Sequence, residues 1–538
     1  MKIKEWLSLL LIATMVFTFA ACGSKKTNEG SASTTDGVSE DANITVLDYA
    51  ELSTLYPLDI GTESDQIPVF MLYDPLVKLG PNQEYIWMLA TGCEKSDDGL
   101  EYTFSLRKGI TFSDGTPWNA EAAKINLDLM ADQSNGFRSQ YVYEYMDKVE
   151  VIDEYTVKVT LKDVYAPFLN ALAIQSGAMV SPSLIEQGSE AMATTPIGTG
   201  QYTLVERKVG EYIKFQLNRD WWGYDAEICG GTPIVEKDCG FNTVTIRPIS
   251  EESTRVALLQ SGEADLAISL TPTNKKLLSD SGYSIVSRQG GFMSYFYLNC
   301  QKEIFKDVRV RQAIAMAIDI DALNNVVYGG EYTKAESALT SSMKFFEKQE
   351  PIEYNPEKAK KLLEEAGYGD GFTLVCWEEN DTTDIQRGEF IQQQLEQIGI
   401  ELKIYPQEGG FLTDNVNAYS GDPAETEFDC YIRGYGADTF DAGEMIGRFE
   451  TAQFPPVGGN YSFYSNEEFD KWIAQGASSI EDEVRQEAYS NAQKIFWEDV
   501  PAVCLLSFAS TAACNEHIEG ADFGCAGGLY LMNAKYVG

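Results

Sequence analysis

Few side chains in this sequence could make or break a covalent bond. His517 is the one histidine, it stands in an isolated C-terminal segment, and neither a G-x-S-x-G elbow nor an H-E-x-x-H pair occurs. The common base-activated nucleophiles and zinc hydrolase sites are therefore missing, and His517 is expected to be structural or solvent-exposed. The thiols offer more. Cys22 lies in Phe19-Ala20-Ala21-Cys22-Gly23, which resembles a bacterial lipobox: a small residue before the cysteine permits cleavage, and the sulfur then carries a diacylglyceryl group. Ten cysteines less Cys22 leave nine, an odd number that keeps at least one unpaired within the chain. Cys229 and Cys239 bracket a loop containing Gly230, Gly231 and Gly240, which makes them the disulfide candidate, with two free buried thiols as the alternative. No cysteine spacing resembles a zinc site, and neither a protein-built metal centre nor a cofactor is expected. Gly198-Thr199-Gly200 lacks the third glycine of a phosphate loop and sits between strand-like segments.

The N-terminal context fits lipidation. Lys2 and Lys4 precede an apolar stretch from Trp6 to Ala21, too short for a comfortable membrane span but suited to a secretory signal over residues 1–21. Residues 22–43 are mostly Ser, Thr, Gly, Asp and Lys and cannot bury enough surface to fold, so they read as a flexible tether. The roughly 500 residues that follow are enough for three or so lobes at about 150 residues each. No later segment reads as a membrane span. Acidic residues outnumber basic ones 82 to 41, so the surface repels phosphate backbones and nucleic acid is a poor partner. A solvated acidic surface on an exported protein accounts for most of that charge.

The local patterns predict an α/β protein. Ile44–Leu47 reads as a first strand and residues 69–79 as a helix-to-strand passage. Glu101–Leu106 alternates Tyr102, Phe104 and Leu106 on one face, between turns at Asp97-Asp98-Gly99 and Ser113-Asp114-Gly115. Asn119 is placed to cap a helix through Leu127 and Met130, and Val149–Ile152 with Thr156–Leu161 forms a hairpin. Further on, Asp307 caps one helix running to Gly329-Gly330, and Asn355-Pro356-Glu357 opens another that stops at Gly367. The strand Phe372–Cys376, the helix Gly388–Ile398 and the strand Glu401–Tyr405 form a βαβ unit of a mostly parallel sheet.

These elements carry phrases that resemble the family 5 extracytoplasmic solute-binding proteins, which serve peptide, nickel and related ABC importers. The longest match runs from Ser96 to Pro117 (SDDGLEYTFSLRKGITFSDGTP). Tyr73-Asp74-Pro75-Leu76-Val77, residues 196–202, 261–265, 307–314 and 354–363 follow in the family's order. Most are expected to be scaffold: Gly115 supplies a positive φ, Asp114 caps amides, and Arg309 and Arg311 make ion pairs. The resemblance implies a two-lobed periplasmic-binding-protein-like fold (class II, cluster C) with an extra β-rich subdomain on the first lobe. By that analogy lobe I comprises residues 44–71, 198–289 and 500–538, the extra subdomain 72–197, and lobe II 290–499. It implies a monomeric receptor, lipid-anchored on the extracytoplasmic face of the cell membrane, that closes about a hinge on a small solute and delivers it to membrane permease subunits.

The resemblance also implies a ligand site. In the peptide-binding branch a G-W-x-x-D-like segment lines the cleft and pairs a carboxylate with the peptide ammonium; here Asp438 matches that acid, Tyr435 the aromatic and Arg433 a further contact, although Asp441-Ala442 replaces the usual Asp-Pro. Tyr295 and Tyr297, like Tyr141, Tyr143 and Tyr145, recur every second residue and would share a face on strands. Arg138 stands where the nickel branch carries a chelate-binding arginine, whereas a second expected arginine near residues 173–177 is missing. A short peptide is the leading ligand class, with a nickel or other metal chelate or an opine-like derivative as the alternative. An exported lipoprotein hydrolase and a signalling or adhesion receptor are the rivals from other classes.

Overall fold

The computed structural model describes residues 38–537 apart from Pro81 and residues 525–527. Cys22, the signal segment and most of the expected tether lie outside the described residues. The last part of that tether is packed: Val38 and Ala42 are buried, and the Val38 carbonyl accepts from Arg219 Nη1 at 2.7 Å. The first strand begins at Asn43.

One sheet of eleven strands runs through the molecule. In spatial order its main path is 400–407, 372–379, 430–436, 284–298, 502–514, 266–268, 43–48, 243–248, 212–217 and 202–208. The βαβ unit is present, with Phe372–Glu379 and Ile400–Gln407 parallel and joined by the helix Thr382–Glu396. That helix starts earlier than expected because Asp381 accepts from the amides of Thr383 and Asp384. The sheet is mixed rather than mostly parallel. Its middle is an antiparallel ribbon in which Ser284–Leu298 pairs with Ala502–Cys514, the register shifting between Gln289 and Met293 at Gly290-Gly291. One large core gathers on residues 38–286 and 512–534, and two more lie on the opposite faces of the sheet's other half. Tyr295 and Tyr297 enter one of these and Phe296 and Leu298 the other. A strand covered on both faces reads as an unbroken apolar run.

Local signals hold where the backbone needed a partner. Asn119 Oδ1 accepts from Ala122 N at 3.0 Å and Asn355 Oδ1 from Lys358 N at 3.0 Å. The hairpin Met146–Asp153 and Thr156–Leu161 belongs to a four-stranded antiparallel sheet with Ala90–Lys95 and Glu101–Leu106. The single helix expected after Asp307 is two, Val308–Ala317 and Ile320–Tyr328, because Asp319 leaves helical geometry and caps Ala322 N at 2.9 Å. Arg309 pairs with Asp307, but Arg311 is buried and donates to the Asp499 carbonyl at 2.7 Å rather than forming an ion pair.

Family phrases that looked like scaffold are scaffold. Gly115 has φ 86° and Asp114 accepts from Thr116 N at 2.9 Å. Gly200 lies against the backbone of Met71 and Leu72 at the end of the helix Glu63–Leu72, so closely that a Cβ would overlap it. Beside it, buried Asp74 accepts from Thr199 Oγ1 and Trp222 Nε1, each at 2.9 Å. The expected Cys229–Cys239 disulfide is not formed. Cys229 Sγ lies 3.5 Å from the Trp222 carbonyl, and both thiols are free. His517 is half-buried and stacks on Tyr536.

On the strand Phe372–Glu379, Glu378 is fully buried beneath Gly388, and neither carboxyl oxygen has a hydrogen-bond partner. Burial pushes this carboxyl up to about 8.

Candidate functional site

The strand Cys430–Gly436 ends in two glycine-spaced residues, Gly434 and Gly436, both packed under Phe292 where a larger side chain would collide with the ring. The chain then turns through Ala437-Asp438-Thr439-Phe440-Asp441. Asp441 caps the helix Ala442–Gly447 through Gly443 N at 2.8 Å. It also forms a buried ion pair with Arg485, whose Nη2 reaches both carboxylate oxygens at 2.8 and 2.9 Å. From that helix Glu444 reaches back to accept from Asp438 N and Thr439 N, each at 2.8 Å, and from Thr439 Oγ1 at 2.6 Å. Burial, reinforced by the Asp438 charge, pushes Glu444 up to about 7. The turn is thus held at both ends, and the Asp438 carboxylate is aimed outward.

It is aimed into a cavity of about 680 Å³ between the two halves of the molecule, within the ~300–1,000 Å³ range of small-molecule sites. Thr62, Gln66, Tyr141, Gln175 and Thr511, the last paired with Ser287, lie on one side, and Phe292, Asp438 and Phe508 on the other. Phe292 and Phe508 meet edge to face at 5.5 Å. Among the described lining residues every side chain but one is neutral, and the exception is Asp438. Tyr141 Oη donates to Asp438 Oδ2 across the cavity. The hydroxyl is held well above its ordinary titration range by burial and then by the Asp438 charge, so it serves Asp438 as a donor at every physiological pH. Asn170 Nδ2 donates to the Thr439 carbonyl at 3.0 Å beside it.

The other expected site residues are placed differently. Tyr295 and Tyr297 do not line the cavity: both are fully buried, and Tyr295 Oη donates to the Ala338 carbonyl at 3.1 Å. Two-residue spacing correctly put them on one face, but that face is covered. Sheet register sets Met293 opposite Tyr435, Tyr295 opposite Arg433 and Tyr297 opposite Tyr431, so all six project to the same covered side. Arg433 donates to Asn417 Oδ1 and Tyr431 Oη, each at 3.2 Å, and Tyr435 lies under the Arg448 guanidinium. Neither reaches the cavity wall. Arg138 stands at the rim, exposed, with its guanidinium packed on Gly61. Tyr141, Tyr143 and Tyr145 do not share a strand face, because Gln140–Tyr143 is a 3₁₀ turn whose side chains fan out. Tyr141 faces the cavity, Tyr143 Oη donates to the Ala171 carbonyl at 2.8 Å, and Tyr145 stacks on Tyr165 at 4.3 Å.

Sequence reasoning missed Glu444, Gln66, Gln175, Phe292 and Phe508. Only Glu444 left a signal: Asp441-x-x-Glu444 has capping-box spacing, although its carboxylate reaches past Asp441 to Asp438 and Thr439. Among the described residues, Glu379, Asp381 and Asp384 bring carboxylate oxygens within 4.8 Å of one another. Arg387 already pairs with Asp384 and Asp381 is a helix cap, and none of the three lines the cavity.

A family model described as bacterial extracellular solute-binding proteins, family 5 Middle, matches residues 84–454. The glutathione-binding protein GsiB of Pectobacterium atrosepticum is 31% identical over 471 residues, covering 87% of this chain and 89% of that one. HbpA2 from Haemophilus parasuis superposes with a TM-score of 0.80 at 23% identity, over 92% of this chain and all of that one. The periplasmic binding protein DppA from Helicobacter pylori, in complex with the peptide STSA, gives a TM-score of 0.72 at 25% identity, covering 91% and 98%.

Proposed function

The chain belongs to the family 5 bacterial extracellular solute-binding proteins, and from that premise we propose that its cavity captures a short peptide by the free ammonium group. It is an extracytoplasmic solute-binding protein of an ABC importer and not an enzyme. The observation that carries the ligand reading is Asp438, the one charged side chain among the described residues lining the cavity. An otherwise neutral chamber with four aromatic rings, Tyr141, Phe292, Phe508 and Phe523, and a single carboxylate among its described lining residues favours a cation with an apolar or amide body. Desolvating an ammonium without a counter-charge costs several kcal/mol, which Asp438 offsets. The amide and hydroxyl groups of Gln66, Gln175, Thr62 and Thr511 suit peptide backbone. A γ-linked tripeptide such as glutathione, for which the relative GsiB is named, carries the same ammonium and falls in the same class.

Capture then follows from the geometry. The lobes, 44–289 with 500–538 and 290–499, turn about the central ribbon, and solute bridging Asp438 and the opposite wall favours the closed form that docks on the permease. The mature protein begins at lipidated Cys22, anchored outside the membrane, and works as a monomer.

The test is calorimetric titration with short peptides identified by mass spectrometry of what co-purifies with the protein. Asp438→Asn should weaken binding by about 2–5 kcal/mol, and N-acetylation of the peptide by a similar amount. Unchanged affinity in both cases removes the ammonium site. Stoichiometric nickel with a small organic ligand in the purified protein replaces the peptide reading with the chelate one.

A further inference from the structure

We propose that Gln66 and Gln175 are the specificity element of this receptor, a paired carboxamide clamp that admits a solute carrying a secondary amide and turns away one that offers acceptors alone. The inference rests on the peptide reading of the cavity and adds the group that is read besides the ammonium.

Gln66 stands on the helix Glu63–Leu72 and Gln175 in the 3₁₀ turn Gln175–Gly177, 109 positions further on. Both line the cavity, on the side facing Asp438. There Gln175 Nε2 donates to Gln66 Oε1 at 2.7 Å. A carboxamide has an acceptor oxygen and a donor nitrogen, so a single bond between two of them consumes one of each and leaves the opposite kinds over. Here these are the Gln66 Nε2 donors and the Gln175 Oε1 acceptor, which have no partner among the described residues. Turning both amides about swaps their places but leaves the same two kinds. Among the described lining residues the remaining neutral polar side chains are all hydroxyls, Thr62 and Thr511 among them, and a hydroxyl rotates to donate or accept as a solute requires. The carboxamide pair cannot adapt in that way. It always presents one donor and one acceptor.

The pair is also in place before a solute arrives. Gln175 is buried, and a Cβ on Gly528 would stand 2.9 Å from Gln66 Oε1 and 3.0 Å from Gln175 Nε2, so the bonded ends of the two side chains rest against that glycine. Their rotamer freedom is given up on folding rather than on binding. In an antiparallel ladder one residue exchanges its N–H and its C=O with the residue opposite, and the clamp offers a solute the same two groups. A secondary amide answers both. An ester of the same shape has lost the donor, and a polycarboxylate chelate has none, so the clamp's carbonyl oxygen would face lone pairs and stay unpaired. Asp438 selects for a cation, and the clamp adds the requirement for an amide.

The experiment uses the mature full-length chain and three randomised tripeptide pools with free termini: all-amide, first link replaced by an ester, and second link replaced by an ester. Retained solute is counted by mass spectrometry after gel filtration. The wild type should retain the all-amide pool and hold at least one ester pool about tenfold less, ~1.4 kcal/mol. Gln66→Ala and Gln175→Ala should retain that ester pool and the all-amide pool equally. Equal retention of all three pools by the wild type overturns the clamp and leaves the ammonium site standing, which an N-acetylated pool checks separately. A tenfold preference that persists in both variants also overturns it. If the wild type retains none of the pools, the peptide reading fails, and heteronuclear NMR of isotope-labelled glutamine side chains in the wild type decides the clamp by itself. The two amide signals, assigned through Gln66→Glu and Gln175→Glu, should move with millimolar N-methylacetamide and not with methyl acetate. Signals that stay in place with N-methylacetamide, or move equally with both, end it. The same spectra decide the matter if the alanine variants do not fold.

Discussion

Removing the Tyr141 hydroxyl should open the protein. Tyr141 Oη donates to Asp438 Oδ2 from the opposite wall of the cavity, so this bond exists only when the lobes are together. A hydrogen bond to a charged acceptor contributes about 1.5–3 kcal/mol net when shielded. Asp438 and Tyr141 are both exposed, and solvent screening brings the figure just below that range, to about 1.4 kcal/mol or a factor of ten in the closed-to-open ratio. The neighbouring bond from Asn170 Nδ2 to the Thr439 carbonyl remains, so closure should be weakened rather than abolished. Small-angle X-ray scattering of the solute-free protein measures the population directly. Tyr141→Phe should raise the radius of gyration toward that of the open form, and saturating solute should restore compaction. The double-mutant cycle with Asp438→Ala sharpens the test: the two substitutions act on one bond, so the double variant should be no more open than either single one. Scattering profiles identical for wild type and Tyr141→Phe, or fully additive effects in the cycle, would refute the assignment of this bond as a latch.

Four further outcomes follow from described contacts. Glu378→Gln should become progressively more stable than wild type between pH 5 and 8 in urea unfolding. A carboxyl raised from 4.5 to about 8 in the folded state is stabilising below 4.5 and loses that contribution as pH rises through 8, by at most about 5 kcal/mol; parallel profiles would show that Glu378 is not held neutral by burial near Arg387, Asp381, Asp384 and Glu389. Asp441→Ala strands buried Arg485 and should cost about 3–5 kcal/mol by the same assay. Cys229→Ser should change stability by less than about 1 kcal/mol, far below the ~2–5 kcal/mol lost with a disulfide. Cys22→Ser should abolish incorporation of labelled palmitate and release the protein from the membrane fraction.

Much of the fold could be read where one residue answers one backbone demand. Asn119, Asp307 and Asn355 are caps, Gly115 and Gly367 accept positive φ, and alternation fixed the hairpin at Thr156–Leu161. The aromatic face of Tyr295 and Tyr297 misled because alternation tells which side chains share a face, not whether another layer covers it. The site was partly legible. Asp438 was found through the family phrase, but its partner Tyr141 lies 297 positions away, and no local pattern encodes which distant turn will meet it.

The ribbon of Ser284–Leu298 and Ala502–Cys514 has a mechanical consequence. Two antiparallel strands bonded edge to edge resist stretching and sliding, since either motion breaks several ladder bonds together, but they twist more readily, and here the ladder is interrupted between Gln289 and Met293 and again between Met293 and Tyr295. Under the proposed hinge, opening then reduces to a twist of this ribbon. A membrane complex that reads only that angle needs no contact with the cargo, so chemically varied solutes can yield one recognisable outline. A solute too large for the chamber jams the rotation part-way, and the receptor rejects it by shape without a specific clash for each wrong molecule.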